Sequence, residues 1–274
     1  ISAFDVILGH IPYKGAVLNL LSAYWFEKTR NIVNNHLISV PDPNVCLVKN
    51  AKPIPIEMVV RGYITGVTGT SIWGSYEKGE RIIYGIKFPE DLKKNQKLKK
   101  PVITPTTKAE VGHDERLTEK EILQRRIVAP KLWSQMKKVS LALFERGTKM
   151  CAKVGIILVD TKYEFGLYNG KLILIDEIHT PDSSRFWVKK TYLKMFKKGQ
   201  EPENFDKEFL RIWYAMRGYK GEGKPPKMSV SLQKAVSKRY VTIYEKISGK
   251  KFKRFKYPIE KRIKENLKIF ISEA

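Results

Sequence analysis

The chain has little cysteine, no long apolar run and few acidic residues for its size. Cys46 and Cys151 are the only cysteines among 274 residues, which excludes a disulfide-stapled scaffold and fits a reducing, cytoplasmic compartment. The longest apolar stretches, such as Gly155–Val159, are far too short to cross a bilayer, and no secretory leader is evident. Internal repeats and low-complexity tracts are missing as well, which argues against a solenoid or a disordered tail. What is there, 42% hydrophobic and 11% aromatic residues, can fill the core of one large domain or of two lobes.

Acidic residues number 28 against 52 basic ones, a formal net charge of +24. Such an excess invites a nucleic-acid reading. The lysines are spread over Lys93–Lys100, Lys189–Lys198, Lys220–Lys227 and Lys246–Lys264, with no basic recognition helix, zinc finger or aromatic RNA-binding motif beside them. A lysine-rich surface that steers small anionic substrates accounts for the pattern better than specific nucleic-acid binding does. Composition leaves the oligomeric state open.

The most informative stretch is 154–187, VGIILVDTKYEFGLYNGKLILIDEIHTPDSSRFW. It sets Asp160, Lys162, Glu164, Asp176 and Glu177 inside segments that otherwise read as apolar strands, where charges are costly unless paired or bound to metal. Strand alternation puts Asp160, Lys162 and Glu164 on one face, and Thr161, Tyr163 and Phe165 on the other, toward a core. Asn169-Gly170 marks a tight turn into a second strand, Lys171 to Glu177. A two-residue loop there would point Asp176 away from Glu164. A three-residue loop, Tyr168-Asn169-Gly170 with Gly170 left-handed, places Lys162 opposite Asp176 and Glu164 diagonal to it, about 7–8 Å away at the backbone. We therefore expect the three-residue loop, with Glu164 and Asp176 sharing one cation. Oxygen ligands alone, with no Cys or His at ligand spacing, point to magnesium and through it to a nucleoside triphosphate.

Along the chain, the pattern predicts a strand over Ile1–Leu8 and a helix from Leu18 to Asn34. Strands follow at Val45–Val48, Ile54–Ile64 and Arg81–Ile86, with Lys49-Asn50-Ala51-Lys52-Pro53 as a polar hinge. Residues 91–116 read as a long functional loop. Thr118 and Glu121 form a capping box, Pro130 restarts a helix carrying the stripe Leu132, Met136, Val139, Leu143 and Met150, and helices dominate after the hairpin: Phe209–Met216 capped by Asp206, Ser229–Ser248, and one from Pro258. The sum is an α+β fold with an antiparallel sheet and helices C-terminal to it.

Several segments resemble phosphoribosylaminoimidazole-succinocarboxamide synthase, the SAICAR synthetase family of purine biosynthesis. They are SAFD at 2–5, EMVVRGYITG at 57–66, TPTTKAEVGHDE at 104–115, LVDTKYEFG at 158–166, DEIHTPDSSRFW at 176–187 and SKRYVTIYEKISG at 237–249, in order along nearly the whole chain. The resemblance implies a two-lobed ATP-binding fold with the ATP site between lobes, here a β-rich lobe over 1–90 and an α+β lobe with the metal hairpin and a helical C-terminal part over 91–274. It implies a carbon–nitrogen ligase that uses ATP and Mg2+ to join L-aspartate to carboxyaminoimidazole ribonucleotide, releasing ADP and phosphate through an acyl phosphate.

Site roles follow from the same resemblance. Glu164 and Asp176 match the magnesium carboxylates. Lys162 would neutralise the transferring phosphoryl group, and Asp160 would contact substrate or orient Lys162, an internal ion pair being the bland alternative. Arg61 and Arg185 match ribonucleotide-binding arginines, whose forks suit phosphate, and Ser71 a phosphate-contacting serine. Lys108, Asp114 and Glu115 match substrate-side residues, with His113 beside them. Asp182, Ser183 and Ser184 either join the site or cap a following helix. Ser2 and Asp5 match the N-terminal signature. The hinge, with Lys49, Ala51, Ile54 and Glu57, would take the adenine. Family members carry a glycine- and lysine-containing strand–turn–strand over the ATP phosphates before the SAFD motif; this sequence starts inside that signature, so either such a segment lies ahead of Ile1, which is the expectation, or the chain has lost part of its ATP lid. The rivals are another ATP-dependent phosphotransferase on the same scaffold and a basic nucleic-acid binder.

Overall fold

Residues 1–3, 6–66, 71–108, 115–205, 207–219, 221–255 and 257–273 are described by a computed structural model, and their backbone is an α+β fold. In place of one strand over Ile1–Leu8 there are two short ones, β1 (Ser2–Ala3) and β2 (Val6–Ile7), paired antiparallel. Helix α1 spans Lys14–Thr29 rather than Leu18–Asn34. Its first residue follows a left-handed Tyr13 with no side-chain cap, so no capping residue marks the start; Thr29 closes the end by donating its hydroxyl to the Trp25 carbonyl at 2.7 Å. Val17, Leu21 and Trp25, four apart, are fully buried.

A hairpin, β3 (Leu37–Asp42) and β4 (Val45–Val48), leads to the long β5 (Lys52–Ile64). The break between β4 and β5 is therefore 49–51, with Lys52 and Pro53 already paired to Leu167 and Gly166. After α2 (Ile72–Glu77) comes a two-residue turn, Tyr84-Gly85, joining β6 (Ile82–Ile83) to β7 (Ile86–Lys87). The expected loop 91–116 instead holds β8 (Gln96–Ile103) and β9 (Thr106–Thr107), both paired to β5. β8 is an edge strand, and its lysines and Pro101, which made it read as loop, are residues that edges tolerate.

The capping box at Thr118 opens α3 (Glu119–Gln124), and Pro130 is the first residue of α4 (Pro130–Lys153). Next come β10 (Ile156–Tyr168), β11 (Lys171–Ile175) and β12 (Ser184–Val188), followed by α5 (Lys189–Lys197), α6 (Glu208–Ala215), α7 (Val230–Ser248) and α8 (Glu260–Ser272). Sequence pattern missed β12 and α5. β12 is five residues long and partners only the first half of β10.

β10 organises the sheet. One edge pairs with β5 from Asp160 to Leu167; the other pairs first with β12 and then with β11, all antiparallel. On one face Ile56, Met58, Val60, Tyr163 and Phe165 meet α1, α4 and α7 in the main core. Each such fully buried side chain contributes roughly 1.5–3 kcal/mol. The opposite face holds Glu57, Val59 and Arg61 of β5 beside Asp160, Lys162 and Glu164 of β10. The expected alternation holds from Asp160 onward. Before it, a register shift between Leu158 and Asp160 swaps the faces, so Ile156 and Leu158 are also core.

Candidate active site

Asp160 sits in one row with two arginines because its neighbours on the two edges of β10 are Arg61 and Arg185. Its Oδ2 accepts from Arg185 Nη1 at 2.6 Å and from Arg61 Nη1 at 3.5 Å. Arg61 is buried; its Nε donates to Thr104 Oγ1 at 2.8 Å, and Tyr84 also bonds it. Burial pulls the Arg61 pKa down while Asp160 and then Tyr84 oppose that pull. Asp160 thus aligns two guanidiniums. It does not orient Lys162, whose partners are other residues.

Gly66 leaves room for both Ser71 and Arg185 beside it. A Cβ there would lie 2.7 Å from the Ser71 Cβ and 3.2 Å from Arg185 Nη2, and its φ of 100° suits glycine. Ser71 is the N-cap of α2, accepting from the Gly74 amide at 3.2 Å, which leaves its own proton to donate.

Two residues further along the same face lies a second ionic row. Lys162 Nζ contacts Glu57 Oε1 and Glu164 Oε1, each at 2.6 Å, and stands 3.9 Å from Asp176 Oδ2. Lys108 contacts the other oxygen of Glu164. Burial disfavours the Glu164 charge, but Lys162 and Lys108 overcome this and hold its pKa well below the usual carboxylate range. Asp176 is pushed up to about 6 by burial and then by the Glu164 charge, with the two carboxyls in hydrogen-bond contact. Burial opposes the Lys162 charge as well, and Glu57 and Glu164 more than restore it.

The turn that builds this row is not the three-residue loop. Tyr168 pairs with Lys171, so Asn169 and Gly170 alone form the turn, at φ 50° and 72°, the type I′ geometry that Asn-Gly favours. This register would send Asp176 to the core face, opposite Glu164. It does not go there because β11 ends at Ile175 and Asp176 adopts a left-handed φ of 62°, swinging the carboxylate back toward Lys162. The grouping is as expected; its cause is a backbone kink.

Residues 177–183 lead from Asp176 to β12, and Asp182 and Ser183 among them line the cavity beside Asp160. Thr180 Oγ1 donates to Glu177 at 2.6 Å, and burial raises the Glu177 pKa to about 7. Asp182 accepts from Lys14 Nζ and from the Tyr240 hydroxyl, each at 2.6 Å. Asp182, Ser183 and Ser184 cap no helix: Ser184 begins β12, and α5 starts only after Val188. Asp5, His113 and Asp114 lie outside the described residues, as do Asp206 and the side chain of Ser2.

The comparisons with known proteins come down on one side. Residues 1–227 match the SAICAR synthetase family profile. The chain belongs to the SAICAR synthetase family. A phosphoribosylaminoimidazole-succinocarboxamide synthase of Legionella pneumophila (strain Paris) is 50% identical over 254 residues, 92% of this chain and 81% of the relative. The SAICAR synthase of Saccharomyces cerevisiae, solved complexed with SAICAR, matches with a TM-score of 0.77 and 32% identity over 93% of this chain and 88% of that one. A SAICAR synthetase (Type-2) in complex with ADP matches with a TM-score of 0.68 and 25% identity, covering 92% and 88%. SAICAR synthetases are carbon–nitrogen ligases, and the nucleic-acid reading is not favoured.

The four residues proposed for adenine divide in this SAICAR synthetase. Lys49 donates its amide to the His36 carbonyl at 2.7 Å, leaving its own carbonyl as the group it can offer. Ala51 follows in the break before β5, while Ile54 is buried in the core. Glu57 belongs with Lys162 in the ionic row. His36 ties the two regions together through its bond to the Asp176 backbone. Sequence reasoning missed Lys14, Tyr84, Lys207 and Arg211, which line or brace the cavity between the rows. In a chain with 52 basic residues, two more cations on a helix carry no signal.

Proposed function

We propose that the face carrying Asp160, Lys162 and Glu164 is the centre at which this SAICAR synthetase joins L-aspartate to carboxyaminoimidazole ribonucleotide at the expense of ATP. The observation that carries the reading is the pair of ionic rows, one rich in guanidinium and one rich in carboxylate, on one face of one strand. Arg61, Ser71 and Arg185 hold the ribonucleotide phosphate, and Asp160, which bonds both guanidiniums, keeps them together there. Lys162 offsets the charge on the phosphoryl group as it passes from ATP to the substrate carboxylate. The aspartate amine then attacks the acyl phosphate: the C–N bond forms, the C–O bond to phosphate breaks, inorganic phosphate leaves and the amine releases a proton. Lys49 and Ala51 contact the adenine. Lys108 acts on the substrate side, and Asp5 and Asp114 are assigned there by their motifs.

The residues present fit a magnesium ion. Glu164 and Asp176 are two neighbouring carboxylates that share a hydrogen bond and crowd each other's charge, and a divalent cation relieves that crowding. Bound there, magnesium would screen the triphosphate and orient it. Two free thiols and the absence of any membrane-crossing helix among the described residues support a cytoplasmic setting.

The test is ADP release with ATP, magnesium, aspartate and the ribonucleotide, each omitted in turn. Release is expected only with all four. Turnover that continues without aspartate would rule out the ligase assignment.

A further inference from the structure

Strand pairing along one edge of β10 has a gap. β12 begins at Ser184, opposite Thr161, and β11 ends at Ile175, opposite Glu164, so Lys162 and Tyr163 face no strand on that side. Residues 176–183 fill the gap, and the Lys162 amide donates to the Ser183 carbonyl at 2.9 Å. This segment reaches both faces of the sheet. Asp176 stands at the front, 3.9 Å from Lys162 Nζ, and His179 at the back, its Nε2 2.6 Å from the Tyr163 hydroxyl.

Both residues are left-handed, at φ 62° and 48°, and Ile178 between them is fully buried. Non-glycine residues stay in that region only where their surroundings hold them. For His179 the surroundings belong to three elements. Tyr163 of β10 bonds it, the Trp25 ring of α1 meets it edge-on with centroids 4.7 Å apart, and Gly147 of α4 leaves the space its ring occupies. The rest of the segment is braced by its own bonds: the Ser183 amide donates to Thr180 Oγ1 at 3.1 Å, and the Ser184 amide to the Thr180 carbonyl at 2.9 Å. A segment so braced takes its place from its anchors, and its polar anchor in the core is His179.

We propose that His179, through Tyr163, is a positioning residue: it sets where residues 176–183 stand against β10, and thereby where the Asp176 carboxylate meets Glu164 and Lys162. This deepens the ligase reading and rests on it. His179 and Tyr163 are fully buried on the core side, so neither touches substrate. Arg61 and Arg185 are held by Asp160 from strands outside the segment. Loosening the anchor should therefore disturb the carboxylate row and spare the arginine row.

The experiment compares Tyr163→Phe, which removes one oxygen and keeps the ring, with His179→Asn, which tolerates the left-handed backbone but is too short to reach Tyr163. Steady-state constants are measured well below the melting temperatures, and Mn2+ binding in the presence of ADP is followed by the paramagnetic resonance of the free ion. Each variant should lower kcat roughly 10-fold and weaken Mn2+ binding roughly 5- to 10-fold, with the ribonucleotide KM within about twofold, as for one lost buried hydrogen bond and a displaced ligand. The double variant should be no worse than the poorer single one, because both lose the same contact. If Tyr163→Phe does not fold, His179→Asn carries the test. Unchanged kcat and Mn2+ binding, even with a lower melting temperature, would overturn the proposal and leave His179 to stability alone. An equal rise in the KM values of all three substrates would overturn it too. ADP release independent of aspartate in the unaltered enzyme would instead overturn the ligase reading, while Mn2+ binding would still decide what His179 positions.

Discussion

Glu164 and His179 lie within the same loop-and-strand unit and are buried for different purposes. Glu164 is ionised because two lysines reach it, so replacing it with Gln removes charge with little change of shape. Glu164→Gln is expected to lower kcat by about 100-fold or more, on the scale of losing one transition-state charge contact, while thermal melting stays within a few degrees; full activity would remove Glu164 from the metal site. His179 is the opposite case. It is fully buried, its Nε2 lies 2.6 Å from the Tyr163 hydroxyl, and Gly147 of α4 makes room for its ring, since a Cβ there would lie 2.4 Å from Cε1. Burial drives its pKa down to about 3. The folded imidazole therefore refuses a proton that the unfolded chain accepts below about pH 6.5, so stability falls as pH falls, by about 1.4 kcal/mol per unit. Urea unfolding should show a loss of about 2 kcal/mol between pH 6.5 and 5 from this group. His179→Asn keeps an acceptor and tolerates the left-handed φ of 48°. It should flatten that slope, and an unaltered slope would refute the argument. The charges at 160, 162, 164 and 176 were legible because an apolar strand makes a charge conspicuous. The partner of Asp160 was not, because nothing local says which arginines the two sheet edges will bring to it.

At the scale of elements, the hairpin shows how a right grouping can follow from a wrong turn. Alternation and turn length together would have separated Asp176 from Glu164, and one left-handed residue at the end of β11 reverses that. A non-glycine residue in this conformation costs about 1–2 kcal/mol, so its persistence marks the carboxylate's placement as the thing maintained. Substitutions at 176 can separate strain from charge. Asp176→Gly should raise stability by up to about 1 kcal/mol through relief of that strain while abolishing most turnover. Asp176→Asn, which tolerates the same φ, should leave melting nearly unchanged and also lose activity. An Asn variant with undiminished kcat would show that the charge is not needed. The same scale explains the misread β8: residues fit for an edge strand look like loop until β5 is seen beside them. The helices α4 and α7 were legible, since Pro130 at the first helical position and Ser229 as a cap are start signals that act locally.

For the whole molecule, a net charge of +24 has two consequences that salt should drive in opposite directions. Like charges on a compact body repel, and ions screen that repulsion over about 10 Å at 0.1 M. Raising salt from about 20 to 300 mM should therefore raise the melting temperature. The same field draws anionic ribonucleotide, aspartate and ATP toward the cavity, so screening should lower kcat/KM several-fold. The effect on kcat should be small, because the site's ion pairs are buried and poorly screened: Arg61 and Asp160 are each only 6% exposed. Neutralising lysines remote from the cavity, such as Lys251 and Lys261 at 93% and 87% exposure, should reduce both salt slopes without altering kcat. If kcat/KM proved insensitive to salt while melting rose, the surface lysines would bear on stability and solubility alone. Substrate capture would then rest on Arg61, Arg185, Lys207 and Arg211 within the cavity.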